Sequence, residues 1–318
     1  MKIAEVCKTG ALKGLRTALR LYRIVLPIYA IVAIVGHTGF YLWLAPMLEP
    51  AMRIFALPGE AVVPLIIGAF SDEYSMVASM SALSLSTAQI TTAAMISLCF
   101  HGIPVELVVS QRIGVPPLRF LLFRFLMAVI TGIFVAWLGA LFLGGAAPAL
   151  TPSPDSAMSA SITFGELGFD TGWDILLPEL GLGVLNMALM LLKVLIPLMI
   201  AIEFMFVYKV VNIIAKKLSW LCRLLGISRD ALVPLLVGAL LGVTYGVGAL
   251  MELNKKQPLS RKDTILLGVF LFSGHAYIEG TYLFAMAGAN IIFICGVRLL
   301  IAITATALIG RVLSARFH

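Results

Sequence analysis

Four polar residues, Ser71, Asp72, Glu73 and Tyr74, interrupt one of the most apolar stretches of the chain. A carboxylate at membrane depth costs about 2.5–3.5 kcal/mol on insertion unless water, an ion or a partner group faces it. Two adjacent acids so placed point to a cation or proton site, or to hydrogen bonds with a polar solute such as ribose. The competing reading is that Ser71 or Asp72 caps a half-helix in a solvent-filled mouth, where the helix dipole tolerates acid. His275 and Glu279, in HAYIE, are four apart and so share one helical face. Such a pair can bind a divalent metal, relay protons or form a buried ion pair. With Asp72 and Glu73 it makes up the candidate metal ligands. His101 and Glu106 form a second His/Glu pair in another apolar run.

Arg298 lies about ten residues into the last apolar run, too deep to reach water along its own stem. It needs a carboxylate, with Glu279 or Asp72 as the expected partner, and anion binding is the alternative. Arg124 falls nearer the edge of its run and reads as an interfacial anchor. His37 and Glu203 read as isolated scaffold groups. Glu60 and Asp230 open two matching segments, where carboxylates suit a helix N-terminus as caps. Thr244 and Tyr245, in GVTYG (242–246), offer hydroxyls without charge.

These residues sit in a chain that is 61% hydrophobic and only 12% charged, with mean hydropathy +1.04. A soluble domain of this size cannot hide so much apolar surface, so the solvent is lipid. The net charge of +7 does not point to nucleic acid, because the basic residues cluster at the ends of apolar runs. The four cysteines, Cys7, Cys99, Cys222 and Cys295, have no metal-ligand spacing and read as reduced packing residues. The N-terminus is not a signal peptide: the apolar run after its basic stretch is too long.

Runs long enough to span about 30 Å occur near 22–45, 88–110, 118–143, 183–211, 262–285 and 288–312. Two interrupted stretches, 58–85 and 228–254, read as re-entrant hairpins. Lys and Arg before residue 24, at 112–124, at 209–229, at 255–262 and at 311–316 are expected in the cytoplasm. The linker that contains TPSPDSAMSAS lacks basic residues and carries several acids, so it is expected outside.

The chain also repeats itself. GEAVVPLIIGAF (59–70) and RDALVPLLVGAL (229–240) share six of twelve positions at an offset of 170. Arg23 and Pro27 match Lys193 and Pro197 at the same offset, and Arg124 matches Arg298 at 174. Ser86 with Gln89 and Ser260 with Asp263 mark equivalent helix starts. Three crossings per half is odd, so the second copy must run upside down. The expected fold is an all-α, polytopic membrane protein with an inverted-topology repeat. Each half has three transmembrane helices plus one re-entrant helical hairpin. The expected segments are a basic cytoplasmic N-terminus (1–21), a first repeat (22–145), an external linker (146–182), a second repeat (183–312) and a cytoplasmic tail (313–318).

LPGEAVVPLIIGAF, with the later HGIPVELVVSQRIG (101–114), resembles the Gate or nucleoside-recognition domain family. Its members include the membrane parts of ferrous-iron transport protein B, spore-maturation proteins and a segment of concentrative nucleoside transporters. The resemblance covers both halves and is stronger in the first. Asp72-Glu73-Tyr74, with Ala78, is similar to the Asn-Glu-Phe-Val-Ala-Tyr motif of the nucleoside transporters, with aspartate in place of the first asparagine. The resemblance implies a secondary transporter for a small polar solute, nucleoside-like, in a bacterial plasma (inner) membrane. A divalent metal-ion permease and a non-transporting partner subunit of a Gate-type complex are the alternatives. The expected substrate site is Ser71, Asp72, Glu73, Tyr74, His101, Glu106, Thr244, Tyr245, His275, Glu279 and Arg298. No cofactor is expected beyond a coupling Na+ or H+. The expected partners are the bilayer, the solute or ion, and a second copy of the chain, with no nucleic acid. No HExxH, GxSxG or GxxxxGKS/T motif occurs, so no enzyme is expected.

Overall fold

The computed structural model describes residues 3–37, 40–112, 115–145, 173–256 and 258–316, and among these it contains helices and no strands. That follows from the composition: in lipid, a helix satisfies its backbone groups within one segment. The lipid-facing surface is visible on α7 (Pro117–Phe142). Phe120, Arg124, Met127, Ala128, Thr131, Val135 and Ala136 form its buried stripe. Leu122, Phe125, Leu126, Ile130, Phe134, Trp137 and Leu141 are exposed on the other side. Both faces are apolar, as a spanning helix requires, and Pro117 starts the helix where its missing N–H is not needed.

The two longest helices, α1 (Ile3–His37) and α8 (Trp173–Val207), have 35 residues each. They pack antiparallel. Gly10 lies on Ile200, Gly14 on Ile196 and Gly183 on Tyr29. Tyr22 Oη donates to Ala188 O at 2.7 Å. Lys13 Nζ and Glu203 pair at 2.5 Å, so Glu203 is a scaffold group joining these helices. Residues 3–21, expected as a separate basic segment, are the first half of α1. Most of the expected linker lies outside the described residues, and from Trp173 onward the chain is helical. Antiparallel packing also brings the basic start of α1 to the end of α8, where Lys209 follows.

Three helices among the described residues are long and apolar enough to cross a membrane by themselves. They are α7, the Leu180–Val207 part of α8, and the Phe293–Leu313 stretch. The last comprises a π-turn, Phe293–Val297, and most of α15 (Arg298–Arg316). Two of the expected spans are each broken in two. The run 88–110 forms α5 (Thr87–Cys99) and α6 (Ile103–Arg112), and 262–285 forms α13 (Arg261–Ser273) and α14 (Tyr277–Met286). The breaks are FHG (100–102) and GHA (274–276). The run 22–45 is divided between α1 and α2 (Phe40–Met52).

Both interrupted stretches are helical hairpins. The first pairs α3 (Val62–Phe70) with α4 (Glu73–Met80), and the second pairs α11 (Arg229–Leu241) with α12 (Val243–Lys256). Their arms meet at small residues, Gly68 on Met76 and Gly238 on Gly246. The second tip turns at Gly242, whose φ of 114° admits no side chain comfortably. Between α8 and the second hairpin lie α9 (Val210–Lys217) and α10 (Trp220–Leu225), which follow α8 as α2 follows α1. Each hairpin also holds a broken helix in place. Gly102 N–H donates to Gly68 O at 3.0 Å, and Ala276 N–H donates to Gly238 O at 3.3 Å. Gly102 and Ala276 are both left-handed, with φ of 55° and 52°. Unwound backbone is tolerated at this depth because it is paired within protein.

The helix starts match the sequence reading in part. Ser86 and Gln89 form a capping box. Ser260 caps α13, but Asp263 reaches out to accept from Ser228 N–H at 2.8 Å, tying α13 to the start of the second hairpin. Glu60 and Asp230 are not caps. Ser228 caps α11, and Glu49 accepts from Gly59 N–H at 2.8 Å, because each helical segment starts one or two residues before its acid, which falls within the first turn.

A Cβ on Gly14 would lie 2.8 Å from Ile196 Cα, a backbone atom that cannot yield. Gly14→Leu should therefore destabilise the protein by about 1–3 kcal/mol, the usual range for overpacking. Thermal unfolding in detergent measures this, with Gly181→Ala, which meets nothing within 4 Å, as the tolerated control.

Candidate functional site

Both hairpin tips and both helix breaks open onto one cavity of about 260 Å³. Its walls carry Ser71 to Tyr74 and Leu241 to Val243 from the tips, and His101, Gly102, Glu106, His275, Ala276 and Glu279 from the broken helices. Eight of the residues expected at the site are therefore together: Ser71, Asp72, Glu73, Tyr74, His101, Glu106, His275 and Glu279. Of Thr244 and Tyr245 the structure describes only the backbone, in the first turn of α12; their side chains, like that of His37, lie outside the described residues.

The two histidines occupy equivalent positions in the breaks and bond in the same way. His101 Nδ1 lies 2.8 Å from Ser97 O, and His275 Nδ1 lies 2.8 Å from Leu271 O. A carbonyl only accepts, so each Nδ1 carries the proton and each Nε2 faces the cavity. His275 Nε2 meets Glu106 Oε1 at 3.2 Å, and His101 Nε2 meets Glu73 Oε1 at 3.2 Å and Glu106 Oε1 at 3.7 Å. The imidazole centroids are 5.2 Å apart. His101, Glu106 and His275 present ligand atoms that all lie within 4.8 Å of one another, a group that can hold a metal ion.

Three expectations change here. His275 and Glu279 do not share a helical face, because Ala276 is left-handed and α14 begins at Tyr277. His275 turns to Glu106 instead, and Glu279 accepts from Tyr74 Oη at 2.5 Å. Arg124 is not an interfacial anchor. It is 1% exposed, its Nε donates to Cys99 O at 2.7 Å, and its Nη1 contacts Glu106 Oε2. Its repeat relation to Arg298 was the signal that could have placed it at the centre. Arg298 pairs with neither Glu279 nor Asp72. Its guanidinium lies over the Tyr277 ring, 4.4 Å from the centroid, and its nitrogens have no hydrogen-bond partner among the described residues. Gly280 lets it approach the acids: a Cβ there would meet Arg298 Nη1 at 3.4 Å and Glu73 Oε1 at 3.5 Å. The π-turn just before Arg298 is a feature often found at functional sites.

Asp72 does cap α4, accepting from Ser75 N–H at 2.7 Å. Ser71 Oγ lies 3.1 Å from Ser75 Oγ. Glu73, one residue further, is only 6% exposed. The capping account thus holds for Asp72 and fails for Glu73, which turns into the cavity.

The second half of the chain answers to a known family. Residues 188–289 match the Gate family, described as nucleoside recognition. The likeness expected to be clearer in the first half is matched by the family model in the second. The Gate segment contains the second hairpin, His275 and Glu279, and ends before Arg298. A membrane protein of Bacillus subtilis (strain 168), YvoD, is 27% identical over 289 residues, covering 89% of this chain and 87% of its own. The chain is an integral membrane protein. Its fold is similar to that of CNTnw in an outward-facing state, with TM-score 0.54, 12% identity, and coverage of 91% of this chain and 73% of that one.

The first half brings to the Gate segment its most buried ion pair, Arg124 with Glu106. Removing one partner leaves an uncompensated charge, which typically costs about 3–5 kcal/mol. Arg124→Leu should lower unfolding stability by that amount, and Glu106→Leu in the same chain should recover part of it. A double-mutant cycle by thermal or chemical unfolding measures the coupling.

Proposed function

We propose that the protein is a transporter that moves a small polar solute, nucleoside-like in character, by alternating movement of one half against the other. The observation that carries this reading is the cavity: two hairpin tips and two helix breaks, contributed by both halves, converge on one polar space within an apolar protein. In this reading the halves are inverted repeats. The equal lengths and antiparallel packing of α1 and α8 support it, as do the matched bonds from Gly102 to Gly68 and from Ala276 to Gly238. Broken helices at a repeat interface are the usual construction of a substrate site in secondary transporters.

The solute class follows from the walls. Asp72 and Glu279 present carboxylate oxygens that accept hydrogen bonds from hydroxyls, and the second tip adds only neutral groups. The description of the Gate family and the likeness to CNTnw support a nucleoside-like solute over other polyols. The basic start of α1 lies beside the end of α8, which Lys209 follows, and we place both in the cytoplasm of a cell whose plasma membrane holds the protein.

Uptake of labelled nucleosides into proteoliposomes tests the proposal. Glu279→Gln and Asp72→Asn should each reduce uptake about tenfold or more, since a hydrogen bond to a charged group contributes about 1.5–3 kcal/mol. Uptake by both variants at the wild-type rate, or no wild-type uptake above empty vesicles, overturns the reading.

A further inference from the structure

The contacts of the two histidines call for a positive charge or a proton. Both Nδ1 atoms are committed as donors to backbone carbonyls, so each Nε2 is left to the cavity and presents a lone pair when the ring is neutral. Each Nε2 faces a carboxylate oxygen at 3.2 Å. With neutral rings, acceptor meets acceptor in two places deep in protein, a pairing that a shared cation relieves. Glu73 Oε1 accordingly has no hydrogen-bond donor, although Glu73 is 6% exposed and turned into the cavity.

We propose that His101, His275 and Glu106 bind one divalent transition-metal ion of the zinc type. Zinc bonds to imidazole nitrogen and carboxylate oxygen at about 2.0–2.2 Å, so neighbouring ligand atoms in its shell stand about 3.3 Å apart. Glu106 Oε1 stands 3.2 and 3.7 Å from the two Nε2 atoms, as along two edges of such a shell, and Glu73 Oε1 flanks His101 Nε2 at 3.2 Å. Two imidazoles with a carboxylate suit zinc, iron(II), cobalt(II) or nickel(II), whereas magnesium and calcium favour oxygen alone.

The surroundings are those of a metal site. A ligating histidine ordinarily donates its other ring N–H to a carbonyl, and a ligating carboxylate is itself held by a partner. Ser97 O and Leu271 O do the first, and Arg124 does the second for Glu106. Charge also balances. Asp72, Glu73, Glu106 and Glu279 line the cavity, and the buried guanidiniums of Arg124 and Arg298 offset two of them. One divalent cation offsets the rest, in a medium where residual charge is expensive. His101 and Glu106 come from the first half and His275 from the second, so the ion ties the halves together. The inference does not depend on what is transported, or on transport at all.

Purified full-length protein without an affinity tag of histidines, stripped with a chelator, is titrated with zinc against a chromophoric competitor. Binding of one zinc per chain is expected. Loss of a second-shell partner usually weakens a site about 10–100-fold, and loss of a ligand should exceed that. His101→Ala and His275→Ala should thus each weaken binding more than about 100-fold, while His318→Ala leaves it unchanged. Cobalt(II) in place of zinc should show visible d–d absorption that both histidine variants lose. Thermal unfolding adds a second readout: zinc should raise the melting temperature of the wild type and not of His275→Ala. His275→Gln serves if the alanine variant does not fold. The proposal is overturned by stoichiometric zinc binding that survives in the folded histidine variants. Absence of one-per-chain binding in the wild type overturns it equally, and assigns the two acceptor contacts to bound protons. Nucleoside uptake plays no part in these measurements, so failure here leaves the transport reading to its own test.

Discussion

Charge held at the centre of a lipid-solvated protein is the constraint on which the rest of the structure depends. Arg124 and Arg298 are among the most completely buried side chains, and Glu73 and Glu106 are buried beside them. None can stay ionised there without partners, because the penalty for desolvating a charge is several kcal/mol even after relaxation. An unbroken bundle could not provide those partners, since its backbone groups would already be paired. Breaking α5/α6 and α13/α14 frees what is needed. Cys99 O, the last residue of α5, becomes an acceptor for Arg124, and the ends of α5 and α13 accept from the histidines. The hairpins then repair the backbone left unpaired, through Gly68 O and Gly238 O. Polar centre, broken helices and hairpins are therefore one design.

The two halves share backbone geometry but not charge. The left-handed residues, the histidines, the hairpin carbonyls and the arginines recur at offsets of 170 or 174. The acids do not. Asp72 and Glu73 of the first tip face Gly242 and Val243 of the second, and Glu106 has Gly280 as its counterpart. Gly280 then admits Arg298 towards Glu73. Symmetry of the scaffold builds the cavity, and its asymmetry gives the cavity a face that attracts cations and hydrogen-bond donors.

Much of this was legible in the sequence. The matched hairpin arms gave both interruptions, since a short apolar run with an internal proline and a polar break has few other solutions in lipid. The acids at 72 and 73 stood out because carboxylates are rare at that depth. The broken helices were not legible. FHG and GHA are single polar residues in runs otherwise apolar enough to span, and hydropathy averages over them. The errors at Arg124 and at the His275–Glu279 pair follow from that one omission. Arg124 looks peripheral when its depth is counted along α7, but its partners come from the unwound end of α5 and from α6. His275 and Glu279 share a face only if the helix runs through 276, and a left-handed Ala276 turns the histidine away.

A non-glycine residue with positive φ is uncommon, and Ala276 adopts it where its counterpart, Gly102, does so without strain. The strain at Ala276 is held by its bond to Gly238 O and by the helices on either side. It is stored where His275 must swing from its own half towards Glu106 of the other. An alternating movement of the halves would have to separate those two residues, and the contact most directly broken would be the one across the cavity. Whatever neutralises the facing acceptors at that contact, ion or proton, therefore sits where binding at the centre and movement of the halves act on each other. The backbone break, the contact between the halves and the unbalanced charge coincide at His275.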